Sequence, residues 1–440
     1  MAYREFTAPA LSRRSLLRSG ALLGVGAGAA AVPFARAPLF AHDDMAWPSV
    51  QAALDEYVDG GKVANMVALM GFEDHDPQVL AKGTLTLNGG TPADADSLYR
   101  IYSMTKPITG MAAMMLVDEG LLGLDQPIAE LLPAYATMMV QKEYDGSIEP
   151  DNLEPAERPI TVRQLLTHTA GLGYGIVQSG PIADYYNQNG LIPGVVTRLD
   201  VPGIFRGAPV QGLATFADRL AEAPLVYQPG TRWSYSMGLD LLGRVIEVAA
   251  QTPFDTFLQQ RIFDLCGMDS TFFRVPDSET GRLAANYAVV GGALFPIDLA
   301  DNSVYLDEPP FPFGGAGLVS SPRDYDRFLQ MIVNYGRIDG RAVMSERAVR
   351  LGTSNLLPDG VDLSGTWMDG QGYGAGGRVV MDGPTHSFGW GGAAGTTGFV
   401  EFRSKLRAGM FTQYMPSQEY EIQNRFPELV MADVMAVHPV

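Results

Sequence analysis

The sequence predicts an α/β (α+β) fold in which an antiparallel sheet flanked by helices is formed from both chain ends, with a mainly helical lobe inserted between them. Three observations predict it. Strand-like runs gather near both ends, helical periodicity dominates the middle, and 440 residues, 46% of them hydrophobic and 18% charged, suffice for one large core or two lobes. On this reading residues 42–100 and 312–440 make the α/β lobe and 101–311 the mainly helical lobe, while 1–41 are an address rather than part of the fold.

The address comes first. Ser12-Arg13-Arg14-Ser15-Leu16-Leu17 leads into an uncharged apolar stretch over 19–34 that is interrupted by glycines. That order of parts resembles a bacterial twin-arginine export signal and implies a periplasmic or secreted protein. The stretch is short and rich in Gly and Ala, so a removed leader is expected rather than a permanent membrane span. Small residues at Ala35-Arg36-Ala37 and Leu39-Phe40-Ala41 both suit cleavage, and Pro38 after the first favours the second.

Beyond the leader, Val50, Ala53, Leu54 and Tyr57 recur at helical spacing after Pro48, and Gly60-Gly61 ends that helix. Apolar and β-branched runs over 63–71 and 79–87, split by the polar 73–77, predict a β-hairpin. The nearly charge-free segment from Ser103 to Val117 reads as a buried helix with Pro107 tolerated in its first turn. Helical patterns follow over 162–166, 215–221 and 239–250. Ser321-Pro322-Arg323-Asp324 starts a helix over 325–335, with Ser321 as cap and Asp324 closing a capping box. Strand-like runs return over 378–381, 397–402 and 408–413, and a helix over 422–437 closes the sequence. The single cysteine, Cys266, sits in apolar surroundings and is expected as a buried thiol.

Ser103-Met104-Thr105-Lys106 carries the chemistry. Residues three apart share a helix face, so Lys106 projects beside Ser103 and supplies the neighbouring base that a serine hydroxyl needs. A serine at a helix start also faces the positive end of the helix dipole. On its own this spacing is weak evidence, since chance supplies it often in a long chain.

Its neighbours strengthen it. Tyr99-Arg100-Ile101-Tyr102-Ser103-Met104-Thr105-Lys106 is followed in order by Leu165-Leu166-Thr167-His168-Thr169-Ala170-Gly171-Leu172 and Pro229-Gly230-Thr231-Arg232-Trp233-Ser234-Tyr235-Ser236. Gly315-Ala316-Gly317-Leu318 and Phe388-Gly389-Trp390-Gly391-Gly392-Ala393 come later. Together they resemble the class C β-lactamase, DD-peptidase and family VIII carboxylesterase group of serine hydrolases. The resemblance implies that fold, an acyl-enzyme on Ser103, Lys106 as its proton partner and Tyr235 as the phenol that passes the proton to the leaving group. It also implies an oxyanion hole from the backbone N–H groups of Ser103 and Ala393, and substrate contacts from Trp390, Gly391, Gly392, Met237 and His386. Two departures stand out: Met237 replaces the asparagine of the family's Y-x-N motif, and Trp390 the basic residue of its K-T-G motif.

The same residues delimit the function. A net charge of −18 disfavours nucleic acid and anionic membrane surfaces as partners. No G-x-S-x-G elbow is present, so His168 is read as capping or packing a turn rather than as a triad base. Without H-E-x-x-H or a Cys/His cluster, neither a metal nor another cofactor is expected. The expected partner is a small-molecule ester or amide, and nothing in the sequence specifies an oligomer. Ester hydrolysis leads the functional readings. A β-lactamase or D-amino-acid amidase using the same residues, and a module that has lost its chemistry, are the alternatives.

Overall fold

The structure is a computed structural model that describes residues 45–199, 208–380 and 386–437. The leader expected over 1–41 and Met381 of the third strand-like run lie outside them. Helix α1 (Pro48–Asp59) buries Val50, Ala53, Leu54 and Tyr57, the periodic residues of the sequence. It is followed by the antiparallel pair β1 (Asn65–Phe72) and β2 (Gln78–Gly83). Every residue of β1 is buried. Its pleat sends Met66, Ala68 and Met70 into one core and Val67 and Leu69 into another, which is why the strand reads as continuously apolar rather than alternating.

Short strand β3 (Tyr99–Arg100) leads into α2 (Thr105–Asp118), buried on almost all sides as its lack of charge requires. The middle of the chain supplies α3 (Val162–Leu166), α4 (Leu213–Glu222) and α5 (Gly238–Ala250). It also supplies something the sequence reading missed, the hairpin β4 (Asn286–Val290) and β5 (Ala293–Asp298), turned by Gly291-Gly292. Both glycines have positive φ, the backbone that a tight hairpin turn demands.

Strand β6 (Val319–Ser320) pairs with β3, and α6 (Pro322–Val333) follows with Ser321 as its cap. The capping box is only half formed. Ser321 Oγ accepts from the Asp324 N–H at 3.1 Å, but the Asp324 carboxylate accepts from Ser270 N–H at 2.6 Å and from Thr271 Oγ1 at 2.9 Å, so tertiary donors win over the local one. Then come β7 (Gly372–Tyr373), β8 (Arg378–Val380), β9 (Ser387–Gly391), β10 (Thr397–Glu401), β11 (Leu406–Phe411), β12 (Tyr414–Met415) and α7 (Ile422–Val437).

Strands β7 to β11 join β1 and β2 in one seven-stranded antiparallel sheet in the order β7-β8-β9-β10-β11-β1-β2, so the early hairpin is inserted beside the late strands, while β12 pairs with β4. Helices α1 and α7 share a core against one face, where Leu54 and Tyr57 meet Phe399, Met410, Ile422 and Phe426. Helix α6 packs on β10 and β11 from the other face. The first and last helices are also joined by a cap: Asp433 of α7 accepts from the N–H groups of Ser49, at 3.0 and 3.1 Å, and Val50, at 3.3 Å. Cys266 is buried and free, and burial pushes its thiol up to about 12. Among the described residues no helix is long and apolar enough to cross a membrane.

Candidate active site

Ser103 lies in the 3₁₀ turn Tyr102–Met104 between β3 and α2. Its approach is fixed by buried Arg100, whose Nε bonds Asp298 at 2.7 Å and whose Nη2 bonds Ser303 Oγ at 3.1 Å. Tyr102 then takes a left-handed φ of 42°, uncommon for a bulky residue and costing about 1 kcal/mol or more. Two contacts hold it there: Tyr102 Oη accepts from Asn286 Nδ2 at 3.1 Å, and its ring meets that of Tyr305 at 6.4 Å. The missed hairpin strand β4 therefore supports the nucleophile's turn.

Lys106 is fully buried. Its Nζ lies 3.2 Å from Ser103 Oγ, donates to the Gly315 carbonyl at 2.6 Å, and stands 4.6 Å from the centroid of the Tyr235 ring. Tyr235 Oη donates to Ser103 Oγ at 2.8 Å and accepts from Trp390 Nε1 at 3.3 Å. Lysine from α2 and tyrosine from the loop before α5 thus converge on one hydroxyl, and tryptophan from β9 bonds the tyrosine.

His168 does not touch Ser103; it pins the tyrosine loop. Its carbonyl accepts from the Ser234 N–H at 3.1 Å, and its Nδ1 meets Ser236 N–H at 3.2 Å and Oγ at 2.9 Å, so residues on both sides of Tyr235 are held. Accepting from a backbone N–H leaves Nδ1 unprotonated, which assigns the proton of the neutral ring to Nε2. Burial and then the Lys106 charge push the His168 imidazole well below its ordinary range, so it stays neutral. His168 itself has φ of 56°, another strained residue next to the site.

The third motif reaches the nucleophile through glycine. A Cβ on Gly392 would fall 2.4 Å from the Ile101 carbonyl oxygen, so only glycine lets the end of β9 close on the turn that carries Ser103. Ala393 packs in the small cluster that holds Tyr102 and Leu98. Gln423 of α7 props this corner, donating from Nε2 to the carbonyls of Gly392 at 2.6 Å and Thr396 at 2.8 Å. The ring of Trp390 meets Tyr235 at 5.9 Å and Tyr373 at 5.2 Å.

Two expected contacts fall away. Met237 is fully buried in the main core at the start of α5, where its N–H bonds the Gly173 carbonyl at 3.1 Å, so it presents no surface to a substrate. His386 stands at the opposite end of β9 from Gly391, its Nε2 2.8 Å from the Thr353 carbonyl and its ring 5.1 Å from that of Phe402. A span of four strand residues, about 13 Å, separates it from Trp390.

Sequence reasoning also missed Trp367 and Asp240. Trp367 is 54% exposed yet meets Tyr235 at 5.5 Å and Trp390 at 5.8 Å, completing an aromatic rim. An isolated tryptophan in a Gly-rich loop gave no periodic signal. Asp240 is a buried carboxylate in the first turn of α5, and a charge inside an apolar helix pattern was the available clue.

A hydroxyl held between a buried lysine and a tyrosine, with a strand corner closing over it, defines a serine hydrolase whose nucleophile and lysine are three residues apart on one helix start. The chain belongs to the Beta-lactamase family, whose family model matches residues 50–431. It is 33% identical over 360 residues to Uncharacterized protein MT1414 of Mycobacterium tuberculosis, covering 79% of this chain and 84% of that one. Esterase EstB of Burkholderia gladioli is 29% identical over 301 residues, covering 64% of this chain and 69% of EstB. The solved structure of EstCE1, a hydrolase with promiscuous acyltransferase activity, shares the fold with a TM-score of 0.70 at 24% identity, over 88% of this chain and 97% of that one.

Proposed function

We propose that the protein hydrolyses carboxylic esters through an acyl-enzyme on Ser103. The observation that carries this is the bracketing of Ser103 Oγ, with Tyr235 Oη at 2.8 Å and Lys106 Nζ at 3.2 Å. Acting as a phenolate that the Lys106 ammonium beside its ring stabilises, Tyr235 takes the hydroxyl proton as Oγ attacks the substrate carbonyl and becomes the neutral phenol. The backbone N–H groups of Ser103 and Ala393 receive the developing oxyanion. Tyr235 then returns the proton to the departing alcohol, and water releases the acid by the reverse sequence.

The aromatic rim favours esters over β-lactams. A β-lactam brings a carboxylate whose desolvation a lysine or arginine can offset by about 1.5 to 3 kcal/mol. Trp390 stands where the family places that cation, and with Trp367 it offers apolar rings to an uncharged substrate. The similarity to an esterase by name, EstB, supports the same choice.

Comparing kcat/KM for p-nitrophenyl butyrate and nitrocefin on one preparation separates the two, the butyrate being expected to win. Nitrocefin turning over equally well or better places the protein with the β-lactamases. Ser103→Ala is expected to abolish both turnover and labelling by a fluorophosphonate, and an active, folded variant refutes the acyl-enzyme. Export through the twin-arginine route belongs to the same proposal, supported by Arg13-Arg14 ahead of an uncharged apolar stretch. Its test is N-terminal sequencing of protein recovered outside the cytoplasm, where a chain beginning near His42 is expected.

A further inference from the structure

The mechanism leaves one buried ionisable group unused. Asp240 is almost completely buried, and only Oδ1 has a partner beyond its own helix: it accepts from the Gly315 N–H at 2.8 Å, while Oδ2 makes no hydrogen bond. A buried carboxylate oxygen without a donor is costly, which asks what keeps the group there. The answer lies one peptide away. The carbonyl of that same Gly315 accepts from Lys106 Nζ at 2.6 Å.

We propose that Asp240 is a positioning residue that acts on Lys106 through the Gly315 peptide. A carboxylate on the N–H side polarises the peptide, making its carbonyl a stronger acceptor and holding the Lys106 amine in place beside Ser103. The fit is tight: a Cβ on Gly315 would fall 2.6 Å from Asp240 Oδ2, so glycine alone lets this peptide pass between carboxylate and lysine. Of the groups around Asp240, Lys106 on α2 is the charged one. Thr109, on the same helix, is neutral and occupied by the Gly314 carbonyl at 2.7 Å, and His168, which faces Lys106, is held neutral by burial. The start of α5 contributes the positive end of its dipole. Burial, opposed by Lys106 and the Gly315 N–H, raises Asp240 to about 6, so the support is present near neutrality and withdrawn in mild acid.

This proposal rests on Ser103, Lys106 and Tyr235 acting as above, and its test separates the two. Asp240→Asn keeps an oxygen for the Gly315 N–H and removes the charge. Fluorophosphonate labelling of Ser103 and p-nitrophenyl butyrate hydrolysis are followed on wild type and variant between about pH 5 and 10. Wild type is expected to show an acid inflection near about pH 6. The variant should lose that inflection and fall about tenfold on the plateau. Asp240→Glu, which retains the charge, should restore the acid inflection. A variant that keeps the wild-type acid inflection with a plateau within about threefold overturns the proposal. So does a wild type without an inflection between about pH 5 and 7, a result that stands even if the asparagine variant does not fold. Wild type that neither labels nor turns over sinks the acyl-enzyme reading, and this proposal with it.

Discussion

Ser103 has two flanks of opposite character. On one side Lys106, the Gly315 peptide and Asp240 form a sealed polar strip, in which both charged side chains are almost fully buried. On the other stand Tyr235, Trp390 and Trp367, an aromatic flank that opens outward until Trp367 is 54% exposed. The difference assigns different work to each. On the proposed mechanism proton handling falls to the sealed side together with Tyr235, the buried end of the aromatic flank, and substrate choice to Trp390 and Trp367, where ring surface is available for contact. Changes on the sealed flank should therefore act on kcat and on pH dependence, and changes at the rim on KM and selectivity.

The largest effect is expected for Lys106→Ala, which removes both the amine beside Ser103 and the cation over Tyr235. A loss of about 10³-fold in kcat is expected, read by single-turnover acylation. An equal loss from His168→Asn, with Lys106→Ala remaining active, would assign the proton work to the wrong flank.

The next prediction concerns stability. Because the folded state raises Asp240 to about 6 from an ordinary 3.8, the native protein binds that proton more tightly than the unfolded chain does. Its contribution to stability is full below about pH 4 and is lost as pH rises past about 6. Asp240→Asn should then be more stable than wild type at pH 8 by about 1 to 3 kcal/mol and nearly neutral at pH 4, while being less active. Thermal melts at both pH values test this, and a variant destabilised at pH 8 would show that the carboxylate contributes more than its burial costs.

On the open flank, Trp390→Lys restores a cation and should raise nitrocefin kcat/KM about tenfold while lowering that for butyrate. Trp367→Ala should produce the smallest change, a rise of about three- to tenfold in KM for aryl esters with kcat nearly unchanged, and methyl esters less affected. A fall in kcat alone would move Trp367 to the proton-handling side.

The two flanks also differed in legibility. Ser103 and Lys106 stand in a short motif whose spacing follows from helix geometry, Tyr235 was read from the family resemblance, and the structure brings both lysine and tyrosine within hydrogen-bond reach of Ser103 Oγ. Trp367 and Gln423 meet the site through contacts between segments distant in sequence, which leave no local pattern, while Gly315 stood in a quoted motif and Asp240 in an apolar helix pattern without their pairing being legible. Met237 shows the converse, because a motif position pointed to the cleft while its apolar side chain found the core. In the fold, α1, α3 and α7 were readable from periodicity and caps, and the β1–β2 hairpin from its apolar runs. The β4–β5 hairpin was hidden by the helical pattern around it, although Gly291-Gly292 between two apolar runs was a usable signal.

The cap that Asp433 provides for α1 has a consequence for how the chain is made. A growing chain exposes the first turn of α1 early, but the carboxylate that satisfies its N–H groups lies 384 residues further on. Neighbouring partners come late too, since β1 pairs with β11, which is made only shortly before α7. During translation the N-terminal hairpin therefore waits beside an unfinished sheet, exposing Val67 and Leu69 on one face and Met66 and Met70 on the other. Those apolar faces find their native cover only once β11 and α7 have been made.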